Sequence, residues 1–106
     1  MINHIHNADD FNAAIANDYI LIDFYADWCG PCKFLLPTLE SFASKTETIK
    51  VYKADVDYEF VSSLALKYSV RSIPTLLWFR NGEVVYTQTG IIDEKNLELI
   101  TSKYAS

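Results

Sequence analysis

Positive charge is in short supply in this chain. Nine lysines and arginines stand against fourteen aspartates and glutamates, leaving a formal net charge of −5. Nucleic acid and anionic membrane are both recognised through a basic face, so neither is an expected partner. Long apolar runs are missing as well; none approaches the ~20 residues that a membrane-crossing helix needs. The opening Met1-Ile2-Asn3-His4-Ile5-His6 has no basic segment leading into an apolar one, so no secretory signal is expected. Such a chain is expected to stay in a reducing cytoplasm, where lasting structural disulfides are rare. Only three prolines and three glycines occur, and no repeat, low-complexity stretch or linker divides the sequence.

Its 106 residues suit one domain, 1–106, and are too few for two. About two thirds of the unfolded surface can be buried at that length, so a core needs neither metal nor disulfide staples. Half of the residues are hydrophobic and 14% are aromatic, which supplies that core. The elements alternate, the pattern of an α/β protein. A strand near Ile2–Ile5 leads to Asn7, a helix N-cap, with Phe11, Ala14 and Ile15 on the inner face of the helix that follows. Tyr19–Ala26 is nearly continuous apolar sequence and reads as a central strand covered on both faces. Leu35, Leu36, Leu39, Phe42 and Ala43 recur at helical spacing after Pro31, and Pro37 should kink that helix. Ile49–Ala54 is the third strand, and Val61, Leu64, Ala65 and Tyr68 share one face of the third helix. Thr75–Phe79 and Glu83–Thr87 flank Asn81-Gly82, a strong hairpin signal. Asp93 caps a last helix with Leu97, Ile100 and Tyr104 inward. The expected order is βαβαβαββα: three parallel strands with right-handed crossovers, then an antiparallel hairpin at one edge.

Trp28-Cys29-Gly30-Pro31-Cys32 holds both cysteines of the chain. Pro31 suits the first helical position, which sets Cys29 at the helix mouth and Cys32 in its first turn. Unpaired backbone N–H groups and the positive end of the helix dipole then favour the Cys29 thiolate, the species that attacks disulfides. Cys29 is thus read as the exposed nucleophile and Cys32 as the sheltered thiol that resolves the mixed disulfide. Two plainer readings compete. A structural disulfide closing so short a loop restricts the unfolded chain by roughly 2 kcal/mol at most. A zinc site from Cys29, Cys32, His4 and His6 is formally complete, yet the histidines read more simply as exposed polar positions near a terminus.

Asp23 lies in the middle of the apolar strand, six residues before Cys29. Burial there should raise its pKa and let it exchange a proton with Cys32. Lys53, in the third strand, either lies beside it or is simply solvated. Ile73-Pro74 precedes a strand; a cis bond there would turn the chain sharply and present a backbone edge beside the cysteines.

Taken together, Trp28–Cys32, Asp23, Ile73-Pro74-Thr75 and Asn81-Gly82 resemble the thioredoxin family nearly end to end. The resemblance implies a thioredoxin fold, a central mixed five-stranded sheet flanked by four helices. It also implies a general protein-disulfide reductase that cycles between dithiol and disulfide. Cys29 and Cys32 are then the redox pair, and Asp23 with Lys53 the buried proton-handling pair. Pro74 matches the family's cis-proline and Pro37 its helix-kinking proline. Trp28, Gly30, Pro31, Ile73, Pro74 and Gly90 match positions of a flat apolar surface where substrates dock. Gly-Pro between the cysteines, where oxidising relatives usually carry histidine, implies a reductant. The expected partners are disulfide-containing proteins and a flavin-containing thioredoxin reductase. The chain itself is expected to be a monomer that binds no cofactor and no metal. Three positions depart from the family pattern. Asp57–Ile73 is about two residues longer and lacks the usual Asn-Pro-rich turn. Ser69 replaces a common glycine, so the third helix should end less comfortably. Trp78 stands where an aliphatic residue is usual.

Overall fold

The computed structural model describes all residues, Met1–Ser106. The elements run β1 (Ile2–Ile5), α1 (Ala8–Ile15), β2 (Tyr19–Tyr25), α2 (Gly30–Lys45), β3 (Lys50–Asp55), α3 (Glu59–Lys67), β4 (Thr75–Arg80), β5 (Glu83–Thr89) and α4 (Glu94–Lys103). The five strands form one sheet in the order β1-β3-β2-β4-β5. β3 pairs in parallel with both β1 and β2, while β4 runs antiparallel to β2 and to β5. This is the expected mixed sheet with its hairpin at one edge.

β2 is central because it can be buried on both sides: every residue from Tyr19 to Phe24 is enclosed. Its even positions Ile20, Ile22 and Phe24 join Phe11, Val61, Leu64, Leu77 and Phe79 in a core under α1 and α3. Its odd positions Tyr19 and Leu21 join Leu35, Leu39, Phe42, Trp78 and Leu97 in a second core under α2 and α4. The period of two in the strand thus assigns each side chain to one helical layer. Asp23 is an odd position, which turns it toward α2.

Caps fix where two of the helices begin. Asn7 Oδ1 accepts the Asp10 N–H at 2.9 Å, and Asp93 Oδ1 accepts the Asn96 N–H at 2.8 Å. α2 runs unbroken through Pro37, which is exposed. Asn81 and Gly82 both have positive φ, 53° and 82°, as a two-residue hairpin turn needs. β5 extends two residues beyond the expected end, and Val85 is an extra residue between the Trp78–Tyr86 and Phe79–Val84 partners.

Trp78 is completely buried. Its indole N–H donates to Thr101 Oγ1 at 3.0 Å, and the Tyr86 ring meets it edge-on at 5.6 Å. Tyr19 reaches the same spot, its hydroxyl donating to Thr101 O at 2.6 Å. Thr101 therefore belongs to the inner face of α4, a position that an apolar pattern alone passes over. Ser69 ends α3 with φ 60°. Its N–H donates to Leu66 O at 3.1 Å and the Val70 N–H to Ala65 O at 2.8 Å, a complete Schellman motif built without glycine.

Candidate active site

α2 begins where β2 ends, at the carboxyl edge of the sheet, and Cys29 is its N-cap. Cys29 has extended backbone (φ −88°, ψ 112°), and its sulfur accepts the Cys32 N–H at 3.2 Å. Pro31 sits in the first turn, where a missing N–H costs nothing. One free helix donor is thereby aimed at the Cys29 sulfur, which stabilises negative charge on it when the bond is reduced. Cys29 and Cys32 are joined in a disulfide.

Contrary to expectation, Cys29 is not broadly exposed: it keeps 6% of its surface, and Cys32 keeps 3%. Ala26 packs with both cysteines, and Tyr25, Val56 and Ile73 close around them. Within the bonded pair each sulfur covers the other, so the order of access is as expected while its extent is smaller. Ile73 O lies 3.9 Å from Cys29 Sγ.

The Ile73-Pro74 bond is cis. Pro74 itself is buried, and its carbonyl accepts the Gly90 N–H at 2.9 Å. The backbone edge beside the sulfur is accordingly supplied by Ile73. Gly90 has φ 88°, and neither Gly90 nor Gly30 has any atom within 4 Å of where a Cβ would stand. A side chain at either position would stand in open space. Trp28 is 68% exposed, with Pro31 also open to solvent and Ile73 half-buried. A groove of about 310 Å³ runs from Trp28 past Val56 and Ile73 toward Leu66 and Arg71. Asp57 is a participant that sequence reasoning did not single out: its carboxylate accepts the Trp28 indole N–H at 3.0 Å. Nothing in an exposed aspartate after a strand announces that bond.

Behind the cysteines a cavity of about 60 Å³ is lined by Asp23, Cys32, Lys53 and Tyr25, with exposed Asp27 and Lys33 at its rim. Asp23 is 2% exposed and its Oδ1 has no hydrogen-bond partner. Burial pushes its pKa up to about 7, while the Lys53 charge pulls the other way. Lys53 is the Cα partner of Asp23 across β2 and β3, so both side chains leave the same face. Its ammonium sits 5.2 Å from the centroid of the Tyr25 ring. Burial first, then the nearby Asp55, Asp27 and Asp23, push the Tyr25 hydroxyl up to about 12. Tyr25 therefore stays protonated beside the cavity.

The alternative metal ligands are arranged otherwise. The His4 and His6 rings are 5.3 Å apart, and His6 stacks on Tyr58 at 4.5 Å. No group of three or more His, Cys, Asp or Glu side chains is disposed to hold a metal ion. Of the residues expected to act together, Asp23, Cys32 and Lys53 line one cavity and Ile73 lies against Cys29, while Gly90 is tied to Pro74.

The thioredoxin family model matches residues 3–103. The chain belongs to the thioredoxin family. It is 41% identical over 96 residues to a thioredoxin of Chlamydia trachomatis, spanning 91% of this chain and 92% of that one. It is also 41% identical over 102 residues to a mitochondrial thioredoxin of Bos taurus, covering 94% of this chain and 61% of that longer one. In three dimensions it is similar to a point-mutant thioredoxin from Halobacterium salinarum (TM-score 0.89, 38% identity, 98% of this chain and 90% of that chain). Fasciola hepatica thioredoxin is also similar, at TM-score 0.86 and 29% identity over 97% of this chain and 99% of that chain. Family membership and the adjoining cysteine pair make the chain a thiol–disulfide oxidoreductase acting on protein disulfides. No helix is long and apolar enough to cross a membrane.

Proposed function

We propose that this chain is a general reductase of protein disulfides, acting as one domain and as a monomer in the cytoplasm, and itself re-reduced by a thioredoxin reductase. The Cys29 thiolate attacks one sulfur of a substrate disulfide, forming a Cys29–substrate disulfide and expelling the other substrate sulfur as a thiolate. Cys32 then gives its proton to the Asp23 carboxylate and attacks Cys29 Sγ. The second substrate thiolate leaves, two electrons have passed to the substrate, and the Cys29–Cys32 bond remains. The reductase returns the electrons.

The observation that carries this reading is the cavity shared by Asp23, Cys32 and Lys53. An acid titrating at about 7 is half-ionised near neutrality, so it can take a proton in one step and release it in the next. The cavity is roomy enough to admit water between carboxyl and thiol. Lys53 keeps the carboxylate form accessible in spite of burial. Trp28, Gly30, Pro31, Ile73 and Gly90 form the docking face, and the buried Pro74 shapes it from beneath through its cis bond. The flatness of that face lets many folded substrates approach, and its apolar character favours the loss of water around the reacting sulfurs.

Trapping tests the assignment. Cys32→Ser, mixed with disulfide-bonded proteins, should accumulate adducts through Cys29 that dithiothreitol releases, whereas Cys29→Ser should trap almost none. Equal trapping by the two variants contradicts this division of roles.

A further inference from the structure

Trp28 is held by a carboxylate that is itself on an exposed turn. Val56, Asp57 and Tyr58 join β3 to α3. The Asp57 N–H donates to Asp55 Oδ1 at 2.9 Å, and the Tyr58 N–H to Asp55 O at 3.1 Å. Those bonds fix the backbone of the turn, not the outward direction of its side chains. A lone carboxylate–indole bond in water holds a ring only weakly, since solvent competes for both partners. Something else must hold the turn still if Trp28 is to keep one orientation.

Tyr58 supplies the second constraint. It occupies the N-cap position of α3, yet its side chain makes no capping bond. Nor is it committed to the core, for 45% of it is exposed. Its ring instead lies flat on His6, with centroids 4.5 Å apart and planes 15° from parallel. The His6 backbone in turn is tied down, its amide N–H donating to Asp10 Oδ2 at 2.9 Å in the first turn of α1. A continuous set of contacts therefore joins α1 to Trp28 through Asp10, His6, Tyr58 and Asp57.

We propose that the His6–Tyr58 stack is a clamp that positions Trp28 for substrate: it anchors the Asp57–Tyr58 turn to the end of β1, so that Asp57 presents its carboxylate to the indole. His6 and Tyr58 touch no reacting atom and act through Asp57. They are positioning residues. The inference rests on the docking role proposed for Trp28.

The test reads the indole directly. In the oxidised protein, hydrogen–deuterium exchange of the Trp28 Nε1–H is followed by NMR, with the buried Trp78 Nε1–H as an internal reference. His6→Ala and Tyr58→Ala should each speed Trp28 exchange by about three- to tenfold, the range expected for loss of one aromatic pair. His6→Phe, which restores a flat ring, should bring the rate back. The double variant His6→Ala/Tyr58→Ala should exchange no faster than either single one, because both remove the same contact. With insulin as a disulfide substrate and dithiothreitol as electron donor, KM should rise by a similar factor in the alanine variants while kcat stays within twofold. If exchange is unchanged, or if His6→Phe behaves like His6→Ala, there is no clamp. Faster exchange with an unchanged KM overturns the proposal that the clamp serves substrate, and removes Trp28 from the docking face while the redox reading stands.

Discussion

Asp23 and Lys53 are direct partners across neighbouring parallel strands, yet they form no ion pair. The carboxyl is sealed inside with Oδ1 unpartnered, while Lys53 is only half-buried and leans over the Tyr25 ring. A tight pair would hold the carboxylate permanently ionised, and a distant lysine would leave burial unopposed and the acid permanently protonated. An unpaired lysine whose charge still opposes burial sits between those limits, which is what a group that must both take and give a proton requires.

Asp23 should make the protein less stable as the pH rises. Its folded pKa of about 7 lies above the ordinary value of 3.8. Below 3.8 both states are protonated and the group has no effect. Between 3.8 and 7 the unfolded chain releases the proton and the folded one keeps it, so stability falls, and above 7 the loss is complete. The gap corresponds to a loss on the order of 4 kcal/mol. Asp23→Asn should therefore raise the urea midpoint at pH 8 and change it little at pH 3.5. It should also slow the resolving step by about 10²-fold, the lower range for a lost general base. A variant that gains nothing at pH 8 contradicts the buried, titrating carboxyl.

Lys53→Met removes the charge that opposes burial. The carboxyl midpoint, followed by 13C NMR of the labelled side chain, should move upward by about one unit. The pH dependence of the resolving step should move with it. An unmoved midpoint means that Lys53 is too well solvated to act on Asp23.

How much of this was legible in the residues follows from the kind of interaction involved. Local and periodic features could be read: Asn7 and Asp93 as caps, Asn81-Gly82 as a turn, Asp23 as a carboxyl buried within the central apolar strand. Features made by residues far apart in the chain could not. Asp57 reaches Trp28 across 29 positions, and Thr101 satisfies Trp78 across 23. Neither aspartate nor threonine carries a sign of its distant partner. The small exposure of Cys29 is hidden from the sequence for a similar reason, since Val56 and Ile73 come to cover it only when the sheet is assembled.

Thr101→Val should destabilise the protein by about 1–3 kcal/mol although the residue keeps its size. The cost is a buried indole N–H left without an acceptor. Thr101→Ser keeps the hydroxyl and should lose less. Urea unfolding of the two variants gives the comparison, and equal losses mean that the bond to Trp78 contributes little.

Ser69→Gly should stabilise the protein. A serine at φ 60° bears the steric cost of the left-handed region, which glycine lacks. Glycine's greater freedom when unfolded offsets part of that gain, leaving about 1 kcal/mol. Thermal unfolding should shift upward by about 5 °C. A lower midpoint would mean that the serine side chain contributes something its backbone strain conceals.

The extra residue at Val85 has a consequence for how copies of this chain meet. β5 is an outer strand, with one row of backbone donors and acceptors facing away from the sheet. A second chain adding itself there needs an unbroken, evenly spaced row. The bulge bends and twists that border, interrupting the register along which an incoming strand would zip. β1, at the opposite border, spans only four residues. The sheet thus ends on both sides in borders that give a growing fibril little to copy.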